Sequence, residues 1–143
     1  MTADDPYHLA RFVEAQGAGG AFEHALDELR RGLKTSHWMW FVFPQIAGLG
    51  HSEMSRHYAI SSLDEARAYL AHPILGPRLV ASAAVLATGT QARAEGVLGE
   101  LDALKLRSSM TLFARATPDE PVFQQVLDWQ FAGQADPATD RLV

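Results

Sequence analysis

Three groups of residues could bind or transform a ligand. The first group is a glycine-containing loop. Gly48-Leu49-Gly50-His51-Ser52 precedes a predicted short helix that carries Arg56 and His57. Glycines let consecutive backbone amides turn inward, and the amides at a helix start attract anions, so this pattern suggests a cradle for a phosphate or carboxylate. The simpler interpretation, which a lone Gly-x-Gly favours, is an ordinary turn in which Ser52 caps a helix.

A second group consists of His37 and Gln45, which stand at the two ends of the aromatic segment Trp38-Met39-Trp40-Phe41-Val42-Phe43-Pro44. Large aromatic side chains need burial, so this segment is expected to form the core and to carry both polar residues to its edge. We expect His37 to be half-buried there. Such a histidine can act as a general acid or base, because its pKa is close to neutrality. The interpretation that we favour is a hydrogen-bonded residue at the core edge.

The third group is Asp102, Lys105, Ser108 and Ser109, which fall within two helical turns. A lysine beside a serine can activate the hydroxyl as a nucleophile. The interpretation that we favour is structural: Asp102 caps a helix, Lys105 interacts with it, and the serines allow close helix packing. Binding of a ligand by Lys105 is favoured over catalysis.

Arg78 begins an alanine-rich predicted helix. It either binds an anion there or, as we expect by default, pairs with Asp64 or Glu65. No metal is predicted, because the chain has no cysteine and none of its six histidines has a second histidine four positions away. No cofactor is predicted either.

Composition narrows the class of protein. A chain of 143 residues fits a single domain, here predicted to span residues 1–143. The net charge of -5 provides no basic surface for general nucleic-acid binding. No apolar run is long enough to cross a membrane, and the first residues lack the pattern of a secretory signal. We therefore expect a cytoplasmic location.

The apolar periodicity predicts a mainly α-helical single domain, with six or seven helical segments around the aromatic core. We prefer one or two turns of buried helix for residues 38–43 over a buried strand, because no partner strand follows. A polar interval is expected between Thr90 and Gly99. The predicted helix starts are Asp5-Pro6, the capping box Ser62-Leu63-Asp64-Glu65, and Thr117-Pro118-Asp119-Glu120.

Several motifs resemble an uncharacterised family of small bacterial proteins, catalogued as a domain of unknown function. The resemblance covers nearly the whole chain and implies a mainly α-helical single domain without an established activity. Some members carry the label "calpastatin", although nothing in this sequence suggests a disordered protease inhibitor. The matching stretches are Lys34 to Gln45 with the run HWMWFVFPQ, Gly48 to Ser52, His72 to Leu79, and Lys105 to Phe113 with the run KLRSSMTLF.

These observations favour a domain that binds a small anionic or nucleotide-like ligand, and they leave open whether it is an enzyme. The predicted pocket lies beside the aromatic core and is lined by His37, Gln45, His51, Arg56 and Lys105. One alternative is a protein-interaction module, which predicts an exposed apolar patch and no formed pocket.

A second alternative is a hydrolase acting on an ADP-ribose-type linkage. The order of Leu75, Leu79 and Thr88-Gly89, followed by a polar stretch and Asp102, is faintly similar to a small α-helical family that processes such nucleotides. No catalytic residue is transferred from that similarity. The hydrolase requires a carboxylate beside His37, and its candidates are Glu23, Glu53 and Asp102.

Overall fold

α-Helices provide nearly all the regular structure of residues 4–143, the part of the chain that this computed structural model describes. Within this part, none of the helices combines the length and hydropathy required to cross a bilayer. The helices are α1 (Ala10–Gly17), α2 (Ala21–Arg31), α3 (Met39–Val42), α4 (Glu53–His57), α5 (Leu63–Ala71), α6 (Leu75–Val85), α7 (Ala94–Leu98), α8 (Glu100–Ala116), α9 (Pro121–Phe131) and α10 (Pro137–Leu142), with a 3-10 turn at Ala18–Gly20.

The aromatic segment forms part of the core, as expected. Its centre is the single helical turn α3, which confirms helix over strand for this stretch. Trp38 and Phe43, on either side of α3, are 1% and 0% exposed, and their ring centres lie 6.2 Å apart. The longest helix, α8, is buried over most of its length and packs against α5, α7, α9 and α10. The mainly α-helical fold class is therefore confirmed.

The predicted start of α5 is confirmed by its cap. The Ser62 hydroxyl accepts a hydrogen bond from the Glu65 amide at 3.1 Å, and α5 begins at the next residue, Leu63. The reciprocal half of the predicted capping box differs. The Glu65 carboxylate accepts from the amide and hydroxyl of Ser61, at 2.9 and 2.7 Å, and it also pairs with Arg11.

Two predicted helix starts are displaced by several residues. α1 begins at Ala10 rather than after Asp5, although the Asp5 carboxylate still accepts from the amides of Leu9 and Ala10, at 2.7 and 3.0 Å. α9 begins at Pro121, where the Glu120 side chain accepts from the Val122 amide at 3.1 Å.

The predicted cap at Thr117 is wrong because α8 continues to Ala116. The Thr117 hydroxyl donates to the Phe113 carbonyl at 2.9 Å, so this residue closes the end of α8 rather than opening α9. The Glu120 amide then donates to the Thr117 carbonyl at 3.0 Å, which closes the turn between the two helices.

The ten helices of residues 4–143 exceed the six or seven predicted segments, and two of the additional ones are short. The interval expected to be polar contains α7, which buries Ala94, Val97 and Leu98. The tail forms α10, where the Asp136 side chain accepts from the Thr139 amide at 3.1 Å. Helices of five or six residues are too short to show a clear apolar period, so the sequence pattern did not reveal them.

Candidate functional site

A cleft of about 210 Å³ opens beside the aromatic core, between α3, the loop that follows it, α4 and α8. Three of the predicted site residues, Gln45, Arg56 and Lys105, line this cleft together. Trp40 and Tyr58 supply its aromatic walls, and the backbone around Gly48 forms one side. Ligand pockets typically combine such apolar walls with a few converging polar groups.

The two predicted histidines do not line the cleft. His51 is exposed on the neighbouring loop, and His37 is exposed although it was expected to be half-buried. The next residue, Trp38, is buried in the core, whereas the His37 side chain faces solvent.

Lys105 is held in the cleft wall by two neighbours. Its ammonium group lies 4.1 Å from the centre of the Trp40 ring and 3.1 Å from a carboxylate oxygen of Asp102. A cation over the face of a tryptophan is attracted by the negative face of the ring. The distance of 3.1 Å to Asp102 shows that the expected contact between Lys105 and Asp102 is present. Asp102 does not cap the helix as expected, because α8 begins at Glu100 and Asp102 lies in its first turn.

Asp102 also binds a second lysine from outside α8. Its other carboxylate oxygen lies 3.1 Å from Lys34, whose ammonium group is 5.2 Å from the centre of the Trp38 ring. Burial opposes the charge of Asp102, but the hydrogen bonds from Lys34 and Lys105 outweigh it and lower the pKa of this carboxyl. Two ammonium groups share one carboxylate, so this cluster keeps a net positive charge.

The segment between α2 and α3 is positioned by the buried carboxylate of Glu28. It accepts hydrogen bonds from the amides of Thr35 and Ser36, at 2.7 and 3.0 Å, from the Ser36 hydroxyl, and from the indole of Trp38 at 2.9 Å. Burial raises the pKa of Glu28, but these donors more than compensate and lower it to about 2. The sequence contains no local signal for this arrangement.

A short parallel bridge ties the loop between α3 and α4 to the segment that follows α4. The Ala47 amide donates to the Ile60 carbonyl, and the Ile60 amide donates to the Gln45 carbonyl, both at 2.8 Å. These bonds fix the backbone of Gln45 at the mouth of the cleft.

The glycines of the predicted cradle serve the geometry of this loop. Gly48 has φ of +103°, and a Cβ on Gly50 would lie 2.8 Å from the Ser55 side chain. Ser52 caps α4 by accepting from the Ser55 amide at 3.1 Å. The simpler interpretation of the Gly-x-Gly segment, a turn followed by a capped helix, therefore accounts for all three residues.

Arg11 fixes the end of α4, a role that sequence analysis missed. Its guanidinium donates to the carbonyls of His57 and Ala59, both at 2.8 Å, and pairs with Glu65 at 2.8 Å. The Arg11 side chain is only 10% exposed. By binding the end of α4, Arg11 holds the segment that carries Arg56 and Tyr58.

Arg56 contributes the second cation of the cleft. Its side chain is exposed and takes part in none of the ion pairs found within residues 4–143. The cleft thus has one arginine without a carboxylate partner and one lysine that shares Asp102 with Lys34.

The serine–lysine interpretation finds no matching contact in the described chain. The Ser108 hydroxyl donates to Asp136 at 3.0 Å and to the Leu104 carbonyl at 3.2 Å. The Ser109 hydroxyl is fully buried and has no hydrogen-bond partner among residues 4–143. Lys105 contacts Asp102 rather than either serine, so these residues support packing rather than nucleophilic catalysis.

The expected pairing of Arg78 with Asp64 or Glu65 is wrong. Those two carboxylates pair with other arginines, which lie closer in the fold. Arg78 instead donates to the Gln16 side chain at 3.3 Å and lies 4.8 Å from the centre of the Phe22 ring.

The described residues give no support to a metal site or to the hydrolase alternative. No three metal-ligating side chains converge within residues 4–143. His37 forms no ion pair there with Glu23, Glu53 or Asp102, and the Asp102 carboxylate is occupied by two lysines.

Comparisons with known proteins agree with this fold. Residues 6–143 match the family model described as a protein of unknown function, DUF1810. The crystal structure at 1.38 Å of the conserved hypothetical protein Rv1873 from Mycobacterium tuberculosis is 46% identical, with a TM-score of 0.92 over 97% of this chain and 98% of that chain. No curated protein shows significant similarity to the chain. The chain therefore belongs to the DUF1810 family of proteins of unknown function.

Proposed function

We propose that the cleft binds a small anionic ligand through Arg56 and Lys105. The observation that carries this proposal is that these two cations line one cleft, and that among residues 4–143 the one carboxylate paired with either of them is Asp102, which Lys34 also shares. Arginine forms paired hydrogen bonds with phosphate or carboxylate oxygens, and lysine acts as a compact positive charge. The Gln45 amide at the mouth of the cleft can hydrogen-bond to a neutral part of the ligand.

The volume of the cleft favours a compact ligand. A volume of about 210 Å³ lies below the range of roughly 300 to 1,000 Å³ that is typical of pockets for drug-sized ligands. That space fits a phosphate or carboxylate group with a short carbon skeleton, whereas a whole nucleotide would extend into solvent. Lys105 also lies over a face of Trp40, which leaves less of that ring for a nucleobase to stack on. Phosphorylated small molecules are abundant in the cytoplasm, where we place this protein.

The proposal is tested by calorimetric titration with inorganic phosphate, ribose 5-phosphate and AMP. We expect ribose 5-phosphate to bind at least as tightly as AMP. Arg56→Gln and Lys105→Gln should each weaken binding by about tenfold, the cost of losing one charged hydrogen bond.

The matched control is Arg31→Gln, which removes an exposed arginine of α2 that is 75% exposed and does not line the cleft. The Arg31→Gln variant should bind the three probes with the same affinity as the wild type. The proposal is wrong if none of the three probes binds, or if Arg31→Gln weakens binding as much as the two cleft variants.

A further inference from the structure

The helix α10 lies against the wall of the cleft at Gly48. Gly48 lines the cleft, and the position that a Cβ on Gly48 would take lies 3.3 Å from both methyl carbons of Leu142. Leu142 is the last residue of the C-terminal helix α10. The C-terminal helix therefore touches the loop that shapes the cleft.

Leu142 also lies near the segment that follows α4. It lines a surface cavity together with Ser61 and Leu63. The bridge between Ile46 and Ile60 ties this segment to the loop that carries Gly48, so Leu142 lies beside both partners of the bridge.

The start of α10 is firmly attached to α8. The Asp136 carboxylate accepts from the Ser108 hydroxyl at 3.0 Å and from the Thr139 hydroxyl at 2.6 Å. The Asp136 amide donates to the Thr111 hydroxyl at 2.9 Å, and Thr139 is fully buried.

The end of α10 is held more weakly. Arg115 of α8 forms two hydrogen bonds with Asp140, at 2.9 and 3.1 Å, but both side chains are 40% exposed. Exposed ion pairs contribute at most about 1 kcal/mol, and Leu142 itself is 46% exposed. The end of α10 can therefore detach at low cost while its start stays in place.

We propose that α10 is a latch on the cleft, in which seating of Leu142 against Gly48 keeps the cleft in its ligand-binding shape. This inference rests on the proposed function, because it concerns the affinity of the same cleft. When Leu142 is seated, the loop from Gly48 to Gly50 cannot move outward. When Leu142 leaves, this wall relaxes and the affinity falls.

The first test truncates Leu142 in the full-length protein. Leu142→Ala should weaken phosphate binding by about fivefold, the lower end of typical coupling between sites, and Leu142→Met should restore it. Amide exchange of residues 46–50, followed by mass spectrometry without ligand, should be faster in Leu142→Ala than in the wild type. The matched control is Ile74→Ala, which truncates an apolar residue that is 41% exposed and does not line the cleft; both readouts should stay unchanged.

The second test separates the latch from simple electrostatics. Arg115→Gln makes the protein more negative and Asp140→Asn makes it less negative, so a pure charge effect would move phosphate affinity in opposite directions. The latch predicts that both variants weaken binding and speed exchange of residues 46–50.

The outcomes distinguish the two proposals. If phosphate, ribose 5-phosphate and AMP all fail to bind the wild type but exchange still accelerates in Leu142→Ala, the proposed function fails and the coupling between α10 and the loop is upheld. If the probes bind the wild type and Leu142→Ala with equal affinity, or exchange is unchanged, the latch is overturned and the proposed function stands.

Discussion

The Lys105 ammonium lies 4.1 Å from the centre of the Trp40 ring, the shortest such distance between a cation and an aromatic ring within residues 4–143. This contact joins α8 to the aromatic segment at the cleft. Asp102 completes the arrangement because it binds Lys105 with one oxygen and Lys34 with the other. The position of the cleft lysine thus depends on a carboxylate that two lysines share.

Removal of this shared carboxylate should destabilise the fold. The Lys34 side chain is 11% exposed and that of Asp102 is 18% exposed, so Asp102→Asn leaves largely buried ammonium groups without a counter-charge. We expect the free energy of unfolding in urea to fall by about 2 kcal/mol. Asp27→Asn is the matched control, because its partner Arg31 is 75% exposed; it should cost less than about 0.5 kcal/mol. Equal losses in the two variants would contradict this role of Asp102.

Glu28 should make stability depend on pH in the acidic range. Its pKa is about 2 in the folded protein and 4.5 in its ordinary state, so its contribution is complete above pH 4.5 and is lost as the pH falls towards 2. We expect Glu28→Gln to lower the free energy of unfolding by about 2 to 3 kcal/mol at pH 7. The difference from the wild type should shrink between pH 4.5 and pH 3.

The control for Glu28 is Glu23→Gln, which changes an exposed carboxylate on the same helix. It should leave the pH profile of urea unfolding close to that of the wild type. The free energies of unfolding of the wild type and Glu28→Gln should not differ by a constant amount from pH 7 to pH 3. Such a constant difference would show that the charge of Glu28 contributes no stability.

Ser109 offers a test of an unpaired buried hydroxyl. Since its oxygen has no hydrogen-bond partner in the described chain, Ser109→Ala removes a desolvated polar group without breaking a bond. We expect the melting temperature to stay the same or rise, with a gain of up to about 1 kcal/mol. Ser108→Ala, one residue earlier, removes the bond to Asp136 and should cost about 1 kcal/mol. A clear loss of stability in Ser109→Ala would mean that this hydroxyl has a partner such as a buried water.

Two helical glycines should respond oppositely to a methyl group. A Cβ on Gly76 would lie 2.1 Å from the Leu70 carbonyl oxygen, so Gly76→Ala must separate the start of α6 from α5. We expect a loss of about 3 kcal/mol, the upper end of the typical cost of overpacking. Gly96 in α7 has no atom within 4 Å of the corresponding position, and Gly96→Ala should gain about 0.5 to 1 kcal/mol. Thermal unfolding compares the two, and a Gly76→Ala protein as stable as the wild type would refute the close approach.

Local patterns in the sequence predicted much of the fold. The helical class, the burial of the aromatic segment and the Ser62 cap were all predictable, because each depends on residues within a few positions of one another. The start of α9 was misplaced because two overlapping signals competed. Thr117 fitted a cap, but the continuation of α8 to Ala116 left that role to Glu120.

The candidate site was predictable only in part. Gln45, Arg56 and Lys105 were identified as polar residues that flank or follow conspicuous motifs, and the cleft brings them together. His37 and His51 have equally suggestive neighbours in sequence, yet both are exposed away from the cleft lining. Residue type and spacing cannot reveal which way a side chain turns once its neighbour is buried.

The helical class, the aromatic core and the caps of α4 and α5 were predictable from the sequence, because they follow from local hydrogen bonding and from the periodicity of apolar residues. The site depends on long-range contacts instead. Lys34 with Asp102, Arg11 with the end of α4, and Leu142 with Gly48 join residues that are distant along the chain. Such contacts form when packed helices bring their side chains together, and no local pattern encodes them.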